Sequence, residues 1–75
     1  MSDPLIRLLT ETRRNRGITQ QTVADAIGTG RPQVANLESG RSDITLSRLR
    51  AWCNILGLTL VVIPTALLDT QRDPS

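Results

Sequence analysis

In residues 19–40, TQQTVADAIGTGRPQVANLESG, the apolar and small side chains fall at fixed steps around one glycine, and Arg31, Gln33 and Asn36 fall between those steps. Ala24 stands four residues before Gly28, and Val34 and Leu37 stand six and nine residues after it. This spacing suits two short helices crossing at a tight turn. A small residue permits close contact, a glycine takes the unusual backbone angle, and each helix turns an apolar face inward. Arg31, Gln33 and Asn36 are then left on the outer face of the second helix, and an arginine there suits bidentate contacts to phosphate and guanine. Duplex DNA is the leading candidate ligand.

The elements that must position these residues follow from local signals. Asp3 followed by Pro4 reads as an N-cap with proline in the first turn. Leu5, Leu9, Thr12, Arg13 and Arg16 then recur at helical spacing up to Gly17, which predicts a first helix over about 4–16. Thr19 caps a second helix with Val23, Ala24 and Ile27 inside, ended by Gly28. Gly30 or Arg31 begins the third, since Pro32 fits only a first turn, and Val34 and Leu37 form its inner face. After a polar loop, Thr45 caps a fourth helix with Leu46, Leu49, Trp52, Cys53 and Leu56 on its buried side, closed by Gly57. Residues 58–63, LTLVVI, are apolar and rich in β-branched side chains, and Pro64 stops them, so they read as a strand. A lone strand leaves its backbone groups unpaired, and the nearest supply of a partner is a second copy of the chain. The expected fold class is all-α: four helices followed by a strand that pairs across a homodimer. Residues 1–64 form the domain, and residues 65–75 are a polar, partly disordered tail with a turn through Leu67 and Leu68.

Composition removes other classes. At 75 residues there is room for one domain with a small core, for which an added constraint such as oligomerisation is expected. One cysteine and no histidine support neither a disulfide framework nor a His/Cys metal site. No apolar run approaches the roughly 20 residues that span a bilayer, and no secretory signal opens the chain, so a cytoplasmic location is expected. Net charge is +2 with a pI near 10.0, and arginine supplies every positive side chain. Asp25, Glu38 and Asp43 are scattered, with no paired-acid, triad or phosphate-loop arrangement, which argues against an enzyme. Cys53 has no histidine to activate it and reads as a core thiol. Trp52 reads as core or dimer contact, because its helix is not the one that faces the ligand.

From Leu5 to Leu58 the chain resembles the lambda-repressor-like, Xre-type helix-turn-helix proteins of bacteria and phages. The residues that carry the likeness are Gly17-Ile18-Thr19-Gln20, Ala24, Gly28, Val34, Leu37-Glu38 and Gly40. It departs from the usual pattern at Thr12 and Trp52, where leucine is common. It departs again at Pro32, where a small polar residue is common and where relatives make a base contact. The ending Ile55-Leu56-Gly57-Leu58-Thr59-Leu60-Val61-Val62-Ile63-Pro64 resembles, more narrowly, that of HipB-like antitoxins, whose fourth helix runs into a strand paired across the dimer axis.

The resemblance implies that the third helix lies in the major groove. Arg31 would donate to guanine O6 and N7, and Asn36 or Gln33 would pair with adenine N6 and N7. Gln20, at the positive end of the second helix, would hold a backbone phosphate, with Arg41 and Ser42 as further phosphate contacts. Arg13 and Glu38 fall where many members place a buried ion pair. Leu58, Leu60, Val61, Val62 and Ile63, with Trp52 beneath them, would form the dimer contact as an antiparallel ribbon, with Leu58, Leu60 and Val62 on the side that meets Trp52. Two functions fit: a homodimeric repressor on a palindromic operator, or an antitoxin that neutralises a HipA-like kinase toxin while repressing its own operon. Neither needs a cofactor.

Overall fold

Helices of two turns are marginal alone, so their ends and their packing decide whether they form. The computed structural model describes residues 3–67, and its helices are α1 (Pro4–Asn15), α2 (Gln20–Ile27), α3 (Arg31–Glu38) and α4 (Leu46–Ile55). Three begin on a side-chain cap. Asp3 Oδ1 accepts from the Leu5 N–H at 2.8 Å, Thr19 Oγ1 from the Thr22 N–H at 3.1 Å, and Thr45 Oγ1 from the Arg48 N–H at 3.4 Å. Each cap satisfies a donor that the first helical turn leaves free. Gly30 stands at the N-cap of α3 without such a bond, and Pro32 occupies the first turn, where its missing N–H costs nothing.

All four helices stop in the same way, by a backbone N–H reaching back over the last turn: Ile18 to the Arg13 carbonyl at 3.0 Å, and Thr29 to Ala24, Arg41 to Asn36 and Leu58 to Cys53, each at 2.9 Å. This closure needs a left-handed residue just before the donor. Gly28 supplies it with φ 78°, and a Cβ there would meet nothing within 4 Å, so its backbone angle alone calls for glycine. Gly57 likewise has φ 71°, which calls for glycine, and the tip of the Arg16 side chain lies close by, its Nη1 2.9 Å from where a Cβ would stand. That guanidinium donates to the Leu56 carbonyl and so ties the end of α1 to the end of α4.

The core draws on every helix: Leu9 from α1; Val23, Ala24 and Ile27 from α2; Val34 and Leu37 from α3; Trp52, Cys53 and the C-cap Leu56 from α4. α2 packs on both α3 and α4, and α1 packs on α3. Ala24 is wholly buried, as the close crossing requires. Leu46, expected on the buried side of α4, is instead 57% exposed. It is the first residue of its helix and projects beyond the packed turn.

Trp52, the chain's single aromatic residue, is 0% exposed and is the largest fully buried side chain. Of the two readings of Trp52, core or dimer contact, the single chain shows the first. Its indole Nε1 has no hydrogen-bond partner among the described residues.

Residues 58–63 carry neither helix nor strand pairing among the described residues. Leu58 and Leu60 pack on the core while Thr59 and Val61 face outward, the alternation expected of an extended segment. Val62 breaks it. Expected to face Trp52, it is 96% exposed, because the chain has by then left the helices. Of the tail expected to be polar and partly disordered, residues 65–67 are helical and the Leu67 N–H donates to the Pro64 carbonyl at 3.0 Å. The rest of that tail, Leu68 included, lies outside the described residues. Among the described residues no helix is long and apolar enough to cross a membrane.

Cys53 lies in the core beside Trp52, and burial raises its thiol pKa above the ordinary 9.0, partly offset by a backbone hydrogen bond. Below that value the thiol is neutral in both folded and unfolded chains. Above it the unfolded chain ionises first, so this group takes stability away as pH rises from about 9.0 through the higher folded value. Urea unfolding across that window, followed by Trp52 fluorescence, is expected to show a steeper loss for the wild type than for Cys53→Ala. Equal slopes would mean that the thiol titrates alike in both states.

Candidate nucleic-acid interface

α3 buries only Val34 and Leu37, so two apolar contacts leave its rotation about its own axis loosely fixed. Glu38, its last residue, adds a third anchor. The Arg13 guanidinium grips the Glu38 carboxylate side-on, Nε to Oε2 at 2.7 Å and Nη2 to Oε1 at 3.0 Å. Its Nη1 donates to the Ile18 carbonyl in the α1–α2 turn at 2.9 Å. The two side chains are 10% and 5% exposed, which makes this a buried pair with bidentate geometry. The sequence contains both partners; the Ile18 carbonyl gave no signal, because a backbone acceptor is available at every residue.

Gln20, the first residue of α2, extends the arrangement outward. Its Nε2 donates to Glu38 Oε1 at 2.9 Å, and its Oε1 accepts from Arg31 Nε at 3.4 Å. The amide orientation follows from its neighbours: turned over, the oxygen would face a carboxylate and the nitrogen a guanidinium, both repulsive. Gln20 was expected as a phosphate contact, and neither bond was legible, since Glu38 lies 18 residues away and Arg31 lies 11.

Arg13, Thr19, Gln20, Gln21 and Arg31 line a recess of about 480 Å³ at the N-terminal end of α2. The partial positive charge of a helix N-terminus and the exposed Arg31 guanidinium favour an anion there, while the charge of Arg13 is already met by Glu38. Arg31, in the first turn of α3, is exposed at its edge, while Gln33 and Asn36 are half-buried. Past α3, the Arg41 N–H and the Ser39 hydroxyl both donate to the Asn36 carbonyl, at 2.9 and 3.1 Å. These bonds hold the loop carrying exposed Arg41 and half-buried Ser42 against the end of the helix. Gln20 and Arg31 are thus in contact, and Arg41 and Ser42 follow at the other end of the same helix. Such a surface offers charged and amide donors around one helix that projects its first turn.

A family model described as Helix-turn-helix matches residues 9–63. No curated protein matches the chain.

The buried pair leads to a stability test. Removing the carboxylate leaves a guanidinium in the interior with one backbone acceptor, and Glu38→Ala is expected to cost roughly 3–5 kcal/mol, against under about 1 kcal/mol for an exposed pair. Urea unfolding read by Trp52 fluorescence measures it. A loss in the lower range would show that the pair is solvated.

Proposed function

Given that the chain belongs to the Xre-like helix-turn-helix family of DNA-binding transcription regulators, we propose that it is a homodimeric repressor of a palindromic operator, with α3 in the major groove. The observation that carries this reading is the placement of Arg31: exposed on the first turn of a helix whose rotation is anchored by a buried ion pair. Arg31 reads guanine O6 and N7, and Asn36 or Gln33 reads adenine. Gln20 at the α2 N-terminus, Arg41 and Ser42 meet the phosphates on either side and set the register of α3.

The exposed apolar side chains of Val61, Val62 and Ile63 support pairing of residues 58–63 with a second copy. A two-fold axis makes such a ribbon antiparallel. It would set two copies of α3 about one turn of DNA apart, roughly 34 Å. The same exposed segment would serve an antitoxin held by a larger toxin protein, and co-purification of such a partner from the native host would favour that reading.

Selection of sites from random duplex DNA is the decisive experiment. An inverted repeat with half-sites about 10 base pairs apart is expected, and failure to enrich any sequence would overturn the reading. On the selected site Arg31→Ala and Asn36→Ala are each expected to cost roughly 1–3 kcal/mol and to relax one base preference.

Assembly is tested separately in the full chain. Val62 touches little within its own chain, so Val62→Asp should leave the folded chain intact. Sedimentation is expected to show the wild type as a dimer and the variant as a monomer. A variant that stays dimeric would move the contact elsewhere.

A further inference from the structure

Arg16 stands at the C-cap of α1, where a cation ordinarily turns back to the last carbonyls of its own helix. Its Nη1 instead reaches across 40 residues of chain and donates to the Leu56 carbonyl, one of those that the end of α4 leaves without a partner inside the helix. That acceptor lies at the root of the apolar segment. Gly57 makes the turn with φ 71°, the Leu58 N–H closes on the Cys53 carbonyl at 2.9 Å, and the chain then leaves toward exposed Val61, Val62 and Ile63. The α1 end of the contact is held as firmly. One turn earlier Arg13 grips Glu38 at the end of α3, and it also binds the Ile18 carbonyl two residues past Arg16. Arg16 therefore ties the helix that anchors α3 to the helix from which the segment leaves.

We propose that Arg16 is a positioning residue that sets the spacing of the two half-sites: by holding the Leu56 carbonyl it fixes the angle at which residues 58–63 leave the domain, and with it the separation and rotation of the two copies of α3. This rests on the reading that those residues pair with a second copy over a two-fold operator. In such a dimer any change of angle at the root of the segment occurs in both copies, and the two-fold axis adds the changes. One base pair of misspacing turns a half-site by about 35° around the duplex. A dimer whose exit angle is fixed rejects that error, and one hinged at residue 57 follows it.

Duplexes carrying the selected half-site at its own spacing, at spacings one and two base pairs longer or shorter, and as a single half-site separate this role from a local one. The wild-type dimer is expected to lose about tenfold or more in affinity for one base pair of misspacing. Arg16→Met keeps a long stem and removes the donors, and its loss is expected to fall to about twofold to threefold. Its binding to the single half-site is expected to stay within about twofold of the wild type, which also shows that the domain is folded. Arg16→Lys restores a charged donor of similar reach and is expected to recover most of the penalty. Without DNA, spin labels on exposed Ala35 (Ala35→Cys with Cys53→Ala) are expected to give a narrow distance distribution between the two copies, broadened by Arg16→Met.

A misspacing penalty in Arg16→Met equal to that of the wild type, or an unchanged distance distribution, would overturn the proposal and leave Arg16 as a helix cap. A loss of one size at every spacing and on the single half-site would overturn it in favour of a phosphate contact. If the wild type sediments as a monomer or binds all spacings alike, the dimer reading fails, and the proposal with it.

Discussion

The buried pair of Arg13 and Glu38 is the interaction on which the geometry depends. It joins the last turn of α1 to the last residue of α3, and through Nη1 it also holds the α1–α2 turn. Taking two charges from water costs several kcal/mol per ion, and only close, directional bonds offset that. The guanidinium meets the requirement, with Nε, Nη1 and Nη2 all engaged. The position of Glu38 adds a reason for the pairing. A carboxylate at a helix C-terminus faces the negative end of the dipole, so without an adjacent cation it would weaken the helix it ends. A lysine in place of Arg13 would bring one point charge, without the planar fork that binds a carboxylate and a carbonyl together. Apolar residues of similar volume would fill the space, but they would not fix how α3 is rotated.

Rotation matters because α3 divides so few residues between two tasks. Val34 and Leu37 face the core, and what remains is the surface assigned to DNA. Any slip about the helix axis moves both sets together. A longer amphipathic helix would hold its orientation through repeated apolar contacts; this one relies on a polar anchor at its C-terminal end. At its other end Gly30 gives no side-chain cap. The α3 start is therefore held by the packing of Val34 and by the turn from Gly28, with Arg31 where the helix is least constrained.

Helix ends were legible in the sequence because their causes are local. Thr19, Thr45 and the Asp3-Pro4 pair mark starts within a few residues of the donors they satisfy, and a glycine marks each stop. The core was legible where period and spacing agreed, as at Ala24, Val34 and Leu37. Leu46 was misplaced because helical period gives a face without saying whether a neighbour covers its first turn. Residues 58–63 present a different difficulty. Period-two alternation is shared by a sheet strand and by an extended segment lying on helices, and the difference is the partner, which one chain does not contain. The bridge from Glu38 through Gln20 to Arg31 was not legible, since it joins three residues that only the tertiary fold brings together.

The distribution of apolar surface carries the argument one step further. Within a single chain Leu58 and Leu60 complete the core over α4, yet Val61, Val62 and Ile63 follow at once with their side chains in water. Burying a side chain of that type is worth about 1.5–3 kcal/mol, so a run of three left exposed is a substantial driving force for association in a domain this small. Its placement suits that end. The first half of the segment is pinned to the helix that holds Trp52 and Arg16's carbonyl partner Leu56, so the direction in which the second half leaves is set by the core and not by a free linker. On the proposed reading, the same packing that encloses Trp52 thereby aims the pairing segment. The separation and orientation of two copies of α3 would then follow from the rigidity of one small core, continuous from the Arg13–Glu38 pair through α2 and α4 to the point where residue 61 leaves the surface.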